Sequence, residues 1–152
     1  MVLIGSLGLD FPLTPGLDTV WGYTPSQANM RGVLEALIHD RSLITDDLVR
    51  MRYETTLRPR YQEAFETMFP APRQRSIRAF VMQDDAIRAI AADALILHGR
   101  EDQVVPAEVG WRLHGLLARS DLHLFGGCGH FVQIEQAARA GRQIQQFLSE
   151  GR

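Results

Sequence analysis

Two short apolar runs, Ala94 to His98 and Leu122 to Phe125, each stop at a glycine, and one helical stretch separates them. Runs this short, bounded by glycine, read as buried strands, because a buried helix needs roughly ten residues or more. Between them, from Pro106 to Leu117, the residues Val109, Leu113, Leu116 and Leu117 recur at helical spacing and mark one apolar face. The first run leads to Asp102. The second opens into Gly126-Gly127-Cys128-Gly129-His130, where three glycines permit the sharp backbone path that would swing an imidazole over a sheet edge. Strand, acid loop, helix, strand, histidine loop is an α/β unit, and it mounts a carboxylate and an imidazole at the carboxyl edge of one sheet.

Such a pair has a chemistry. The carboxylate fixes the histidine tautomer and stabilises the imidazolium, and His130 takes a hydroxyl proton and returns it to a leaving group, which an imidazole does well near neutral pH. Taken singly, Asp102 reads as a turn-capping or solvent-facing acid, since aspartate favours turns, and His130 as an ordinary loop histidine. What joins them is their place after successive strands, in glycine-bearing loops where functional groups tend to be mounted. No nucleophile stands out. Ser6, in Ile4-Gly5-Ser6-Leu7-Gly8, lacks the first glycine of a G-x-S-x-G elbow, and Pro12, Pro15 and Gly16 argue against a helix starting behind it. Ser26, Ser42, Ser76, Ser120 and Ser149 lack flanking glycines altogether, and Cys128 reads as a small loop residue.

The amino-terminal residues Met1 to Gly8 read as a strand that needs neighbours on both sides. The chain is then irregular through Pro25. A helix follows the Ser26 cap, with Met30, Val33, Leu34, Leu37 and Ile38 on one face, and Thr45-Asp46-Asp47 opens another with a cap and an acidic first turn. Pro59, Pro70 and Pro72 bracket a helical segment carrying Tyr61, Ala64, Phe65, Met68 and Phe69. A last amphipathic helix after His130 is expected to turn Ile134, Ala137, Ala138, Ile144, Phe147 and Leu148 toward the sheet. A net charge of −2 with 45% hydrophobic residues excludes an electrostatic pull toward nucleic acid or anionic membrane. All 16 basic residues are arginine, a bias of genome composition rather than a phosphate-binding signature. The single cysteine forbids an internal disulfide, so a reducing cytoplasm is the expected compartment, and Met1 to Gly8, without a basic flank and too short for a signal or membrane helix, are expected to form a strand instead. His39, His98, His114 and His123 are scattered without metal-ligand spacing, and no nucleotide-binding glycine motif is present, so neither metal nor cofactor is expected.

Longer stretches carry a resemblance. His98-Gly99-Arg100-Glu101-Asp102-Gln103-Val104-Val105-Pro106 and Leu122 through Gln136, with Trp21-Gly22-Tyr23, Tyr61-Gln62-Glu63-Ala64-Phe65 and Met68 through Arg75, resemble the carboxyl-terminal part of the meta-cleavage product hydrolases. These are α/β-hydrolases that cut a carbon–carbon bond during bacterial breakdown of aromatic rings, and within them the chain looks like the branch acting on 2-hydroxymuconic semialdehyde. The resemblance implies an α/β-hydrolase fold lacking the amino-terminal half of its sheet, with residues 1–8 as a core strand, 9–86 as a helical cap and 87–152 as the carboxyl-terminal part of the core. It implies Asp102 and His130 as two members of a triad whose serine lies upstream, so that this chain alone is expected to be inactive. Arg52 matches an arginine that contacts the dienoate substrate, where a guanidinium suits a carboxylate and an enolate oxygen; without the resemblance it reads as a solvated helix arginine paired with an acid. Phe131 stands where many relatives have tryptophan and would form an apolar wall of the pocket. The partners implied are a small-molecule dienoate and either a second copy or a complementing amino-terminal half. An ester, epoxide or haloalkane hydrolase, sharing the acid–histidine pair, and a non-catalytic half-protein that docks to a partner remain open as alternatives.

Overall fold

A computed structural model describes residues 1–150. Its centre is a parallel three-stranded sheet of β1 (Val2–Ile4), β2 (Ala94–Gly99) and β3 (Ser120–Phe125), in the order β1-β2-β3. Val2 pairs with Leu95 and Ile4 with Leu97 on one side of β2, while Ala94 pairs with Ser120 and Gly99 with Phe125 on the other. The middle strand is buried along its whole length, which is why it is apolar without alternation.

Helices cover both faces. On one, Leu3, Ala94 and Ile96 pack against α1 (Pro15–Trp21), α2 (Gln27–Leu37) and α7 (Ala107–Leu116), through Leu17, Leu34, Val109 and Leu113. On the other, Leu95, Leu97 and Phe125 meet Val132 of α8 (Val132–Glu135) and Ala140 and Phe147 of α9 (Ala137–Ser149). Each large side chain fully removed from water here, such as Phe125 or Leu97, contributes about 1.5–3 kcal/mol. Between β1 and β2 run α1, α2, α3 (Asp46–Thr56), α4 (Tyr61–Met68), α5 (Gln74–Ala79) and α6 (Asp84–Arg88).

The expected caps are present: Ser26 Oγ accepts from Asn29 N–H at 3.0 Å and Thr45 Oγ1 from Leu48 N–H at 3.1 Å. Three expectations need correction. The stretch before Pro25 is not irregular throughout, because Thr14 caps α1 by accepting from Leu17 N–H and Pro15 occupies the first helical position, where its missing donor costs nothing. The first strand is only three residues long and turns out at Gly5. The last helix is two helices, since Gln136 leaves helical geometry (φ −124°, ψ 31°) and resets the phase of the apolar stripe. Phe147 is buried and Ile144 partly so as expected, but Ile134, Ala137, Ala138 and Leu148 face outward, and Val132 and Ala140 take the inward places.

Candidate active site

The loops after β2 and β3 are held together by backbone. Arg100 N–H donates to Phe125 O at 2.9 Å, Glu101 N–H to Cys128 O at 3.0 Å, and Cys128 N–H to Glu101 Oε2 at 3.0 Å. The approach is so close at Gly99 that a Cβ there would lie 2.0 Å from Gly129 O and 2.4 Å from Cys128 O. Two of the three glycines in the histidine loop are required: Gly127 takes a positive φ (66°), and at Gly129 a Cβ would lie 2.8 Å from Leu37 O and 2.9 Å from His39 N.

Asp102 is placed by its own loop. Oδ1 accepts from Val104 N–H at 2.8 Å and Val105 N–H at 3.0 Å, a local turn that leaves Oδ2 to accept from His130 Nδ1–H at 2.8 Å. Its side chain is fully buried. Burial by itself would push the carboxyl up, but the contacts from His130 and His98, followed by the His130 charge and the Val104 N–H, outweigh it and hold the group at about 2. Asp102 is therefore an anion at neutral pH. With Nδ1 donating to that anion, neutral His130 carries its lone pair on Nε2, the nitrogen a general base uses.

The ring is held from three directions. His130 N–H and Phe131 N–H both donate to Leu37 O at the end of α2, at 2.8 and 3.3 Å. Glu135 accepts from Gly129 N–H at 2.7 Å with one oxygen and from His39 and Asp40 N–H at 2.8 and 2.9 Å with the other. Gly5, at φ 52° just beyond β1, lies under the imidazole, where a Cβ would come within 2.9 Å of Cε1. Glu135 and Glu101 carry no signal in the sequence: Glu135 accepts chiefly from backbone N–H groups, and Glu101 from the Cys128 N–H and its neighbour Arg100, so neither belongs to a residue-type pattern.

His130 lines a largely apolar cavity of about 290 Å³ with Ser6, Leu7, Leu17, Trp21 and Val104. A second cavity of about 190 Å³, bordered by Tyr23, Met30, Leu34, Arg52 and Phe65, shares Val20 and Leu37 with the first. Phe131 lies near both His130 and Arg52: its ring centre is 6.0 Å from that of His130 and 6.0 Å from the Arg52 guanidinium carbon. The structure thus joins Asp102 and His130 directly, sets Phe131 beside them and brings Arg52 to the neighbouring cavity. Among the described residues no carboxylate forms an ion pair with Arg52. Ser6 borders the same cavity as His130, but the next helix begins only at Pro15, so it occupies no strand-turn-helix elbow. Cys128 is fully buried; burial first, then the charges of Glu135, Glu101 and Asp102, push its thiol up to about 12, so no thiolate forms near neutrality. Among the described residues no three His, Cys, Asp or Glu side chains cluster as a metal site, and no helix is long and apolar enough to cross a membrane.

An acid-then-histidine pair after successive parallel strands has known counterparts. The chain is 51% identical over 149 residues to a 2-hydroxy-6-oxo-2,4-heptadienoate hydrolase of Pseudomonas putida, covering 98% of this chain and 54% of that one. It is 47% identical over 150 residues to a 2-hydroxymuconate semialdehyde hydrolase of Pseudomonas sp. CF600, covering 99% and 53%. The structure superposes with a TM-score of 0.97, at 50% identity, on a meta-cleavage product hydrolase from Pseudomonas fluorescens IP01, covering all of this chain and 56% of that one. The chain spans about half the length of the curated relatives it matches. A family model for the alpha/beta hydrolase fold matches residues 27–137, which is most of the chain and includes both Asp102 and His130. By that match, and by the sheet and loops that carry the pair, the chain belongs to the alpha/beta hydrolase fold family.

Proposed function

We propose that this chain supplies the acid and the base of a hydrolase that cuts a carbon–carbon bond in 2-hydroxy-6-oxo-dienoates, the ring-cleavage products of aromatic breakdown. The observation that carries the proposal is the 2.8 Å hydrogen bond from His130 to a buried Asp102 beside an apolar cavity. The identity to two dienoate hydrolases supports the substrate class. A dienoate reaching across the two neighbouring cavities would set its apolar end among Leu7, Leu17 and Trp21, with its carboxylate and enolate oxygen toward Arg52 and Phe131 flanking the reacting part. His130 Nε2 would take the proton of a serine hydroxyl or water and return one to the departing carbon, and Asp102 would stabilise the imidazolium between those transfers. The serine comes from outside these 152 residues, from a contiguous or complementing polypeptide that extends the sheet beyond β1. Residues 9–86 act as the cap over the cavity, residues 1–8 and 87–152 belong to the core, and the enzyme works in the cytoplasm without a cofactor, as a single copy or an oligomer.

The test is loss of the dienoate chromophore on adding 2-hydroxymuconic semialdehyde to the protein that carries this chain. His130→Ala should lower kcat by at least about a hundredfold, as expected for loss of general acid–base catalysis. Arg52→Ala should chiefly raise KM, and the 152-residue chain alone should give no turnover. Near-wild-type kinetics for His130→Ala, or hydrolysis by the isolated chain, would overturn the proposal.

A further inference from the structure

His98 is the last side chain of β2 before Gly99, and its imidazole is completely buried. Nε2 lies 3.0 Å from the Val105 carbonyl oxygen and 3.3 Å from Asp102 Oδ2. Both atoms are acceptors, so Nε2 must carry a proton. The Val105 contact is the shorter of the two, so that proton is directed at Val105, and the longer approach to Asp102 is chiefly electrostatic. On the far side of the ring Nδ1 is buried without a partner, close against Gly110 of α7, where a Cβ would lie 2.9 Å away.

The result is a closed frame. Asp102 Oδ1 accepts from Val104 and Val105 N–H, the Val105 carbonyl accepts from His98, and the His98 N–H dipole sits beside the one carboxylate oxygen that faces His130. We propose that His98 is a positioning residue for the acid: its Nε2–H braces the turn over residues 102–105 and sets a positive dipole beside Oδ2 of Asp102, keeping the carboxylate ionised and aimed at His130. A leucine of similar size would fill the strand position and do neither.

The ionisable groups that act on the pair are His130 from the loop after β3 and Glu108 from α7; β1 offers none. Burial works against a second proton on His98, but the Asp102 and Val105 contacts and the charges of Asp102 and Glu108 outweigh it, so its affinity for a proton is raised. Such a proton enters at Nδ1, and the Nε2–H is kept in either state.

The inference rests on the geometry of the site and not on the reaction assigned to it, and its readout needs no turnover. Failure of the hydrolase proposal would appear in the dienoate assay and leave this test intact. The full chain, carrying ¹³C-labelled aspartate and ¹⁵N-labelled histidine, is titrated by NMR. In the wild type His98 should hold its proton on Nε2, that resonance should respond as Asp102 titrates, and the Asp102 carboxyl should titrate near 2. His98→Asn, whose amide is too short to reach the turn, should move that titration up by about one unit. His98→Gln, whose amide nitrogen reaches the place of Nε2, should restore it. A folded His98→Asn chain titrating like the wild type, or His98→Gln displaced as far as His98→Asn, would reduce His98 to a core residue. If the variants do not fold, the wild-type spectrum decides: a bare Nε2, or an Nε2–H indifferent to Asp102, overturns the proposal.

Discussion

Replacing Glu135 by alanine tests whether the base of this site is held by an acid that does no chemistry. The carboxylate accepts from Gly129, His39 and Asp40 N–H at 2.7, 2.8 and 2.9 Å, and so fastens the histidine loop to the turn that follows α2. Hydrogen bonds to a charged acceptor are worth about 1.5–3 kcal/mol each when no water replaces them. His39 and Asp40 are exposed, so water takes over much of their share, and about 0.5 kcal/mol is lost at each. Gly129 is buried, and its orphaned N–H costs about 1–3 kcal/mol. Glu135→Ala should therefore destabilise the chain by about 2–4 kcal/mol, read as a lower urea midpoint at unchanged slope. Glu135→Gln should lose about half as much, because its one oxygen can serve Gly129 while its amide group faces the other two donors. The two bonds from His130 and Phe131 to Leu37 survive in both variants, so the loop should loosen rather than detach. A destabilisation below about 0.5 kcal/mol in Glu135→Ala would refute the reasoning, since it would mean that the buried Gly129 N–H finds another acceptor at no cost.

Two further outcomes follow from the same geometry. Gly99→Ala forces a methyl group to within 2.0 Å of the Gly129 carbonyl, so the acid and histidine loops must part; a loss of about 1–3 kcal/mol in urea unfolding is expected, together with a break of the Asp102–His130 bond seen as loss of the downfield Nδ1–H proton signal. Asp102 titrates at about 2 in the folded chain against an ordinary value of 3.8, so its ionisation favours folding by about 2 kcal/mol above pH 4. The depressed value fixes the sign: this contribution is complete above about pH 4 and fades as the pH falls toward 2, and Asp102→Asn should flatten the stability profile over that interval alone.

The α/β class, β2, β3, the helix between them and the nomination of Asp102 and His130 were legible in the sequence, because each depends on local signals: apolar runs, helical spacing, glycine stops and chain order. The capped helices α2 and α3 were legible for the same reason, and α1 would have been, had Thr14-Pro15 been read as a cap followed by a first-turn proline. What the tertiary structure alone decided is how the pair is held. Glu135 reaching back to His39, His98 bracing the turn at Val105, Gly5 under the imidazole and Gly99 against Gly129 are contacts between segments far apart in the chain or made through backbone atoms common to every residue. The break at Gln136 belongs with them, since the inward face of α9 follows from where the histidine loop is anchored and not from the helical period. Periodicity along a chain reports which face of an element is apolar, whereas the meeting of two loops depends on where the sheet carries their ends. The acid and the base could be named from local pattern, and their 2.8 Å contact could come only from the parallel pairing of the two strands that carry them.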